Sequence, residues 1–360
     1  MNNEWYFLGA LATSFAITFL AIPSIIRVSE LKKLFDEPHN RKSHSKSVPT
    51  LGGLGIFAGL IFSISFWTIA EDFYYIKYIL SAVIIIFFMG LKDDMVEVAA
   101  IKKLFGQLIA ATILCHNGDI RVSSFYGLFS IYDIPYNISL PFSVLTVTLI
   151  TNSFNLIDGI NLLAGSIGSL CAVTFGAWYV LNGHNALAVL SFSLLGSLLA
   201  FLWFNKTPAK IFMGDTGSLL LGTIIAVLSI KFIEINKVYS GFYHINSVPA
   251  VTLGILIVPI FDTLRVFLLR ILKGKSPLAA DNNHLHHQLL KLGLNHHKAC
   301  ATLILINLFF ITFSFLLQSI DGEVLLTLII IICLSLNWFL AYKIRTKNKR
   351  ARLTFKKGIY

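Results

Sequence analysis

The sequence predicts an all-α polytopic membrane protein with about 11 transmembrane helices, ten being the alternative count. Three observations predict it. Hydrophobic residues fill 56% of the 360 positions and charged residues only 13%, where an ordinary soluble domain carries roughly a quarter charged. Mean hydropathy is +0.76. Apolar runs of about 20 residues, enough to cross a bilayer, recur along the chain. The same composition excludes an ordinary water-soluble enzyme and a disordered chain, which needs low hydrophobicity and high charge.

The first run, about 5–27, follows Met1-Asn2-Asn3-Glu4 and has no positive n-region. It reads as a first membrane helix with an outside N-terminus, not as a cleaved signal peptide. Further runs lie at about 50–70, 75–91, 101–116, 138–157, 160–181, 185–204, 211–231, 248–272, 300–319 and 323–342. The fourth and the eighth are the weakest by length and polarity. With the N-terminus outside, 28–49, 92–103, 205–210, 270–299 and 343–360 become cytoplasmic. Those segments carry 23 of the 29 Lys and Arg, against four on the other side, as the positive-inside rule requires. The net charge of +11 is therefore mostly topological, and the C-terminus is cytoplasmic. Residues 1–342 read as a single transmembrane domain and 343–360 as a basic tail that anchors to lipid headgroups rather than nucleic acid. Between the fourth and fifth runs, 119–137 alternates β-branched and aromatic residues around Gly127, which predicts a short extracytoplasmic β-hairpin. Cys115, Cys171, Cys300 and Cys333 are scattered and read as buried free thiols.

Ionisable and amide residues at a membrane boundary point to function, and four clusters fall on the cytoplasmic side. Asp93-Asp94 ends the third run; adjacent carboxylates there are tolerable when they share a cation or a proton. Asn152, Asn155 and Asp158 recur at spacing three, one face of a helix, before Gly159 and Asn161. Oxygen donors of this kind suit Mg2+ or a nucleotide edge. Asn205 precedes Gly214-Asp215-Thr216-Gly217-Ser218, whose glycines and helix start would let backbone amides meet a phosphate while Asp215 brings a cation. The fourth cluster, His284-Leu285-His286-His287, lacks a zinc pattern and suits an anionic substrate or proton transfer. Asp262 and Arg265, three apart, most simply pair with each other. Taken singly, each cluster also fits a solvated helix end, a turn or a cap. Together they describe phosphoryl transfer between a nucleotide and a lipid phosphate.

Asp93-Asp94, Asn152-x-x-Asn155-x-x-Asp158-Gly159, Asn205 with Met213 to Ser218, and His284-x-His286-His287 occur in the order seen in the polyprenyl-phosphate N-acetylhexosamine-1-phosphate transferases, which the chain resembles from about Pro38 to Leu292. Arg41-Lys42-Ser43-His44 and Pro49 to Gly53 are similar to that family's first cytoplasmic loop. The peptidoglycan branch usually carries three consecutive His; His284-Leu285-His286-His287 is similar to the WecA/TagO-like branch instead.

The resemblance implies transfer of N-acetylhexosamine-1-phosphate, foremost GlcNAc-1-phosphate, from a UDP-sugar to undecaprenyl phosphate with release of UMP. That step starts O-antigen, teichoic-acid or capsule synthesis at the bacterial inner membrane. Another UDP-HexNAc is the alternative donor, and UDP-MurNAc-pentapeptide ranks below it. It implies Asp93, Asp94, Asp158 and His284 as catalytic residues, and Asp215 and Asn155 as ligands of Mg2+, with Mn2+ as a substitute. Lys46, Lys103, Asn152, Asn161, Asn205, His286 and His287 would bind substrate. Partners would be the donor, undecaprenyl phosphate and the bilayer, with a homodimer as an option and no nucleic acid. Two departures stand out. Asn161 occupies a position where relatives usually have Asp, and Asp281-Asn282 stands where relatives often have Asp-Arg. The rival classes are a secondary transporter, which would place polar residues near the midplane, and a scaffold.

Overall fold

A computed structural model describes residues 5–32, 48–68, 73–238, 241–276 and 283–357. The described residues form α1 (Tyr6–Leu31), α2 (Gly52–Trp67), α3 (Phe73–Met95), α4 (Ala100–Thr112), α5 (Tyr136–Ile157), α6 (Leu163–Leu181) and α7 (Asn185–Asn205). They continue as α8 (Gly214–Val238), α9 (Val248–Ile255), α10 (Ile257–Leu272), α11 (Leu285–Lys291), α12 (His296–Leu316) and α13 (Gly322–Lys357). Eight of these are long and apolar enough to cross a membrane: α1, α3, α5, α6, α7, α8, α12 and α13. The chain is thus a multi-pass membrane protein in architecture.

The other three expected spans take different forms. The 50–70 run is the shorter helix α2, and the 101–116 run is α4 followed by a π turn, Ile113–Asn117. The 248–272 run is broken into α9 and α10 at Leu256. Pro259 causes the break, since its ring displaces the carbonyl four residues back, that of Ile255. Asn307 of α12 repairs it: its side-chain amide donates to the Ile255 carbonyl at 3.2 Å and accepts from Val258 N at 3.4 Å. A broken helix inside a bundle persists only when its freed backbone groups are met in this way.

Helices α7 and α8 are apolar on all sides and buried along most of their length, as the centre of a bundle requires. α1 and α2 clasp α7, and α3 and α5 flank α8. Hydroxyls tie the helices where apolar attraction between them is weak. Ser63 meets Ser193 at 2.7 Å, and Thr151 meets Thr223 at 3.2 Å.

The segment expected as a β-hairpin doubles back but forms no strand; an isolated antiparallel bridge joins Ser124 to Asp133. Positive φ at Tyr126, Gly127, Phe129 and Ser130 turns the chain out of ladder geometry. Glu234 of α8 competes for the donors, accepting from Ser123 N at 2.6 Å and Ser123 Oγ at 2.7 Å. Cross-turn pairing survives nonetheless: Phe125 N donates to the Tyr132 carbonyl at 3.0 Å, Gly127 N to the Ile131 carbonyl at 3.0 Å and Ile134 N to the Ser123 carbonyl at 2.9 Å.

Candidate active site

The four polar clusters meet at one end of the bundle, and each sits where a helix begins or ends. Asp93 and Asp94 lie in the last turn of α3, Asn155 in the last turn of α5, and Asp215 in the first turn of α8. These ends converge because α3 and α5 both pack on α8.

Lys103, in the first turns of α4, stands between two carboxylates. Its Nζ donates to Asp93 Oδ2 at 2.6 Å and to Asp215 Oδ2 at 2.7 Å. Asp93 also accepts from Val98 N at 2.6 Å. Asn155 Nδ2 donates to Asp215 Oδ1 at 3.0 Å and to Ser218 Oγ at 2.8 Å. Asp215 is thus aimed from both sides. Asn155 meets it through an N–H, so Asn155 orients the carboxylate and keeps only its Oδ1 for a cation.

Asp94 does something different from its neighbour. Its Oδ1 accepts from Asp215 N at 2.7 Å, and its Oδ2 from Thr216 N at 2.9 Å and Thr216 Oγ1 at 2.5 Å. It caps α8 from another helix, meeting donors that the helix cannot satisfy itself. Gly214 allows this approach. Its φ is +71°, and a Cβ there would overlap the Thr50 carbonyl and the Asp94 carboxylate. The sequence reading had those amides meeting a phosphate; the structure commits them to Asp94.

Asp158 ends α5 and has no hydrogen-bond donor at its carboxylate among the described residues. Burial first, and then the charges of Asp215 and Asp94, hold its carboxyl well above the usual carboxylate range. The turn that follows is fastened to the α7–α8 connection. Asn205 Oδ1 accepts from Leu162 N at 2.7 Å, and Asn205 Nδ2 donates to the Ile211 carbonyl at 2.8 Å. Leu162 sits at φ 72°, a conformation that needs such support in a non-glycine residue. Asn161 is buried and donates to Thr207 Oγ1 at 3.1 Å. Asn205 and Asn161 therefore fix the loop geometry.

The histidine motif arrives on α11. Asp262 of α10 receives it: Oδ2 meets His284 Nδ1 at 2.9 Å, while Oδ1 accepts from Leu285 N at 2.9 Å and Arg265 Nη2 at 2.8 Å. Arg265 also donates to the Asn283 carbonyl at 2.5 Å. The expected Asp262–Arg265 pair is present, and it does more than expected, since it anchors the whole motif. His284 and His286 stack with 5.8 Å between ring centres. His286 is 1% exposed, neither ring nitrogen has a hydrogen-bond partner among the described residues, and burial pushes its pKa down to about 3. It lies against Gly159, where a Cβ would overlap its Nε2. That contact brings the fourth cluster onto the second. His287 packs on His286 with ring centres 4.2 Å apart.

Lys46, with Asp281 and Asn282, lies outside the described residues. Asn152 is at the site but engaged with Gln107: Asn152 Nδ2 donates to Gln107 Oε1 at 2.5 Å and to the Thr148 carbonyl at 2.8 Å. Gln107 escaped sequence reasoning. Its signal is an amide one turn past Lys103 on the same α4 face. Thr216 and Ser218 were legible only as parts of a glycine-rich turn.

Asp93 and Asp215 share the Lys103 ammonium, Asp94 spends both oxygens on α8, and no three His, Cys, Asp or Glu side chains come together to hold a metal ion among the described residues. Hard carboxylate oxygens are the ligands Mg2+ prefers.

Residues 76–233 match the family described as glycosyl transferase family 4. The chain is 33% identical over 306 residues to a Bacillus subtilis (strain 168) protein described as a probable undecaprenyl-phosphate N-acetylglucosaminyl 1-phosphate transferase, covering 84% of this chain and 83% of the relative. It is 27% identical over 310 residues to the undecaprenyl-phosphate alpha-N-acetylglucosaminyl 1-phosphate transferase of Escherichia coli (strain K12), covering 82% and 79%. The Salmonella typhi protein of that description is 26% identical over 307 residues, covering 83% and 80%.

Proposed function

The chain belongs to glycosyl transferase family 4, and on that premise we propose that it transfers N-acetylglucosamine-1-phosphate from UDP-N-acetylglucosamine to undecaprenyl phosphate, releasing UMP. The carrying observation is the Asp93–Lys103–Asp215 bridge, which joins three helix ends at one end of the bundle. It gathers opposed charges where a water-soluble diphosphate could meet a phosphate held in the bilayer. A transporter would keep such groups near the midplane; here they sit in first and last helical turns.

In the proposed reaction a lipid phosphate oxygen attacks the β-phosphorus of the donor. A new P–O bond forms to the lipid phosphate, the bond from that phosphorus to the bridging oxygen breaks, and UMP leaves with the electron pair. Phosphoryl transfer asks a protein mainly for positioning and charge stabilisation. Asp93 orients the lipid phosphate or takes its remaining proton. Lys103 leaves one or both carboxylates to meet phosphate oxygens. His284, its Nδ1 held by Asp262, presents Nε2 toward the sugar phosphate, with His286 and His287 beside it. Asp94, Asn155, Asn161 and Asn205 are positioning residues; Asn152 forms part of the donor wall with Gln107. Mg2+, or Mn2+ in its place, would be held by Asp215 with Asn155 Oδ1 and Asp158 beside it, and when bound supplies neutralisation of the donor pyrophosphate. The site faces the cytoplasm of the bacterial inner membrane in this reading, as the basic loops require. The product starts a cell-envelope polysaccharide.

A donor panel tests the proposal. Purified protein receives undecaprenyl phosphate, Mg2+ and, separately, UDP-GlcNAc, UDP-GalNAc or UDP-MurNAc-pentapeptide. Lipid-linked product from UDP-GlcNAc in clear excess is expected. Product only from another donor would correct the sugar, and none from any donor would overturn the proposal.

A further inference from the structure

Away from the active site, α10, α11, α12 and α13 enclose an apolar cleft of about 280 Å³. Phe261, Leu285, Leu289, Ile306 and Leu336 form its walls, and two polar residues of α13 break the pattern: Asn337 and Lys343. Asn337 is half-buried, and its amide makes no hydrogen bond among the described residues. Lys343 is exposed at the edge. Beyond it α13 continues with exposed Arg345, Lys347 and Lys349, and Lys347 Nζ donates to the Lys291 carbonyl at the end of α11. The basic stretch therefore lies at the same end of the bundle as the histidine motif.

We propose that this cleft is a binding site for one anionic glycerophospholipid, with an acyl chain among the apolar walls and the phosphate at Lys343. The charge is complementary: a lysine at a headgroup boundary attracts anionic lipid. Asn337 sets the class. It lies six residues before Lys343, roughly 9 Å deeper along the helix. A glycerophospholipid has ester carbonyls below its phosphate to accept from that amide, whereas a polyprenyl phosphate has none. The half-buried Asn337 amide would find its acceptor in that ester carbonyl. The site also bears on the reaction, because α11 separates the cleft from the active site. Leu285 and Leu289 face the lipid, while His284 is bonded to Asp262 and His286 rests on Gly159.

Native mass spectrometry of the full-length detergent-exchanged protein tests this without any substrate, so its outcome is independent of the transfer reaction. Phosphatidylglycerol and phosphatidylcholine of matched acyl chains are titrated. One saturable phosphatidylglycerol is expected. Lys343→Gln should weaken it roughly fivefold, the worth of one lysine at a bilayer surface. Leu336→Trp, which fills the cleft, should abolish it, and Leu334→Trp on the lipid side of the same helix should change nothing. Lys343 is exposed, so its variant stays informative even where Leu336→Trp fails to fold. Equal binding of phosphatidylcholine, equal binding by wild type and Lys343→Gln, or displacement of phosphatidylglycerol by equimolar undecaprenyl phosphate would each overturn the proposal.

Discussion

Replacing Asp262 with Asn removes one charge and one acceptor from a carboxylate that three donors share. Arg265 Nη2, His284 Nδ1 and Leu285 N all lie within 2.9 Å of its oxygens. The amide keeps one oxygen and turns an N–H2 toward the other donors. At least one charge-assisted bond is lost, each worth about 1.5–3 kcal/mol, and a nearly buried Arg265 loses its counter-charge. Breaking a buried pair from one side costs about 3–5 kcal/mol. α11 is also held by α12 and α13, so the helix should stay docked while the rings of His284 and His286 lose their register. About 3 kcal/mol lost from the transition state is a fall of roughly 10²-fold in kcat/KM. The assay is UMP release at saturating undecaprenyl phosphate, with monodispersity and Tm measured on the same sample. A monodisperse Asp262→Asn protein whose kcat/KM stays within about threefold of wild type would refute the claim that Asp262 positions the histidines.

Lys103→Met leaves Asp93 and Asp215 facing each other without their shared ammonium; it should abolish transfer, and Mg2+ should raise its Tm more than that of wild type, as read by thermal shift. Equal shifts would mean the cation does not bind at Asp215. Asp94→Asn and Asp93→Asn should both lose activity, but Asp94→Asn should also lose about 2–4 kcal/mol of stability because it uncaps α8. Denaturation curves that overlay for the two variants would contradict that division. His286, set among His284, His287, His296 and Asp262, binds a proton in the unfolded chain near pH 6.5 but in the folded chain only near pH 3. Its contribution is therefore complete above pH 6.5 and is lost as pH falls toward 3, by about 1.4 kcal/mol per unit. His286→Gln should flatten the fall in Tm between pH 6.5 and 5; an unchanged slope would place the acid sensitivity elsewhere.

Much of this was legible in the chain. Composition and apolar runs gave the membrane class, and Asp93, Asp158, Asp215 and His284 stood out because charges at apolar boundaries need a reason. What stayed hidden was division of labour. Asp93 and Asp94 are adjacent in sequence, yet a step of one residue turns them about 100° apart on α3. One therefore reaches Lys103 and the other the start of α8. Their partners lie 10 and more than 100 positions away, so no local pattern reveals which is which. Asn161 and Asn205 read as ligands because amides bind nucleotides, but they also tie loops. In this structure Leu162 at positive φ makes the tie necessary. The α9–α10 break had a local signal in Pro259, but its repair by Asn307 from another helix did not. The 119–137 segment alternates as a strand does and pairs across its turn, but positive φ at Tyr126, Phe129 and Ser130 and the hold of Glu234 on Ser123 keep it from a regular ladder.

The most direct test of the account is a mass balance. Purified protein is given UDP-GlcNAc and Mg2+, with and without undecaprenyl phosphate, and UMP and lipid-linked GlcNAc pyrophosphate are quantified together. The account predicts one UMP for each lipid product, none of either without the lipid, and none from Asp215→Asn. UMP formed without acceptor lipid, release of UDP in place of UMP, or no product from a well-folded wild type would contradict it.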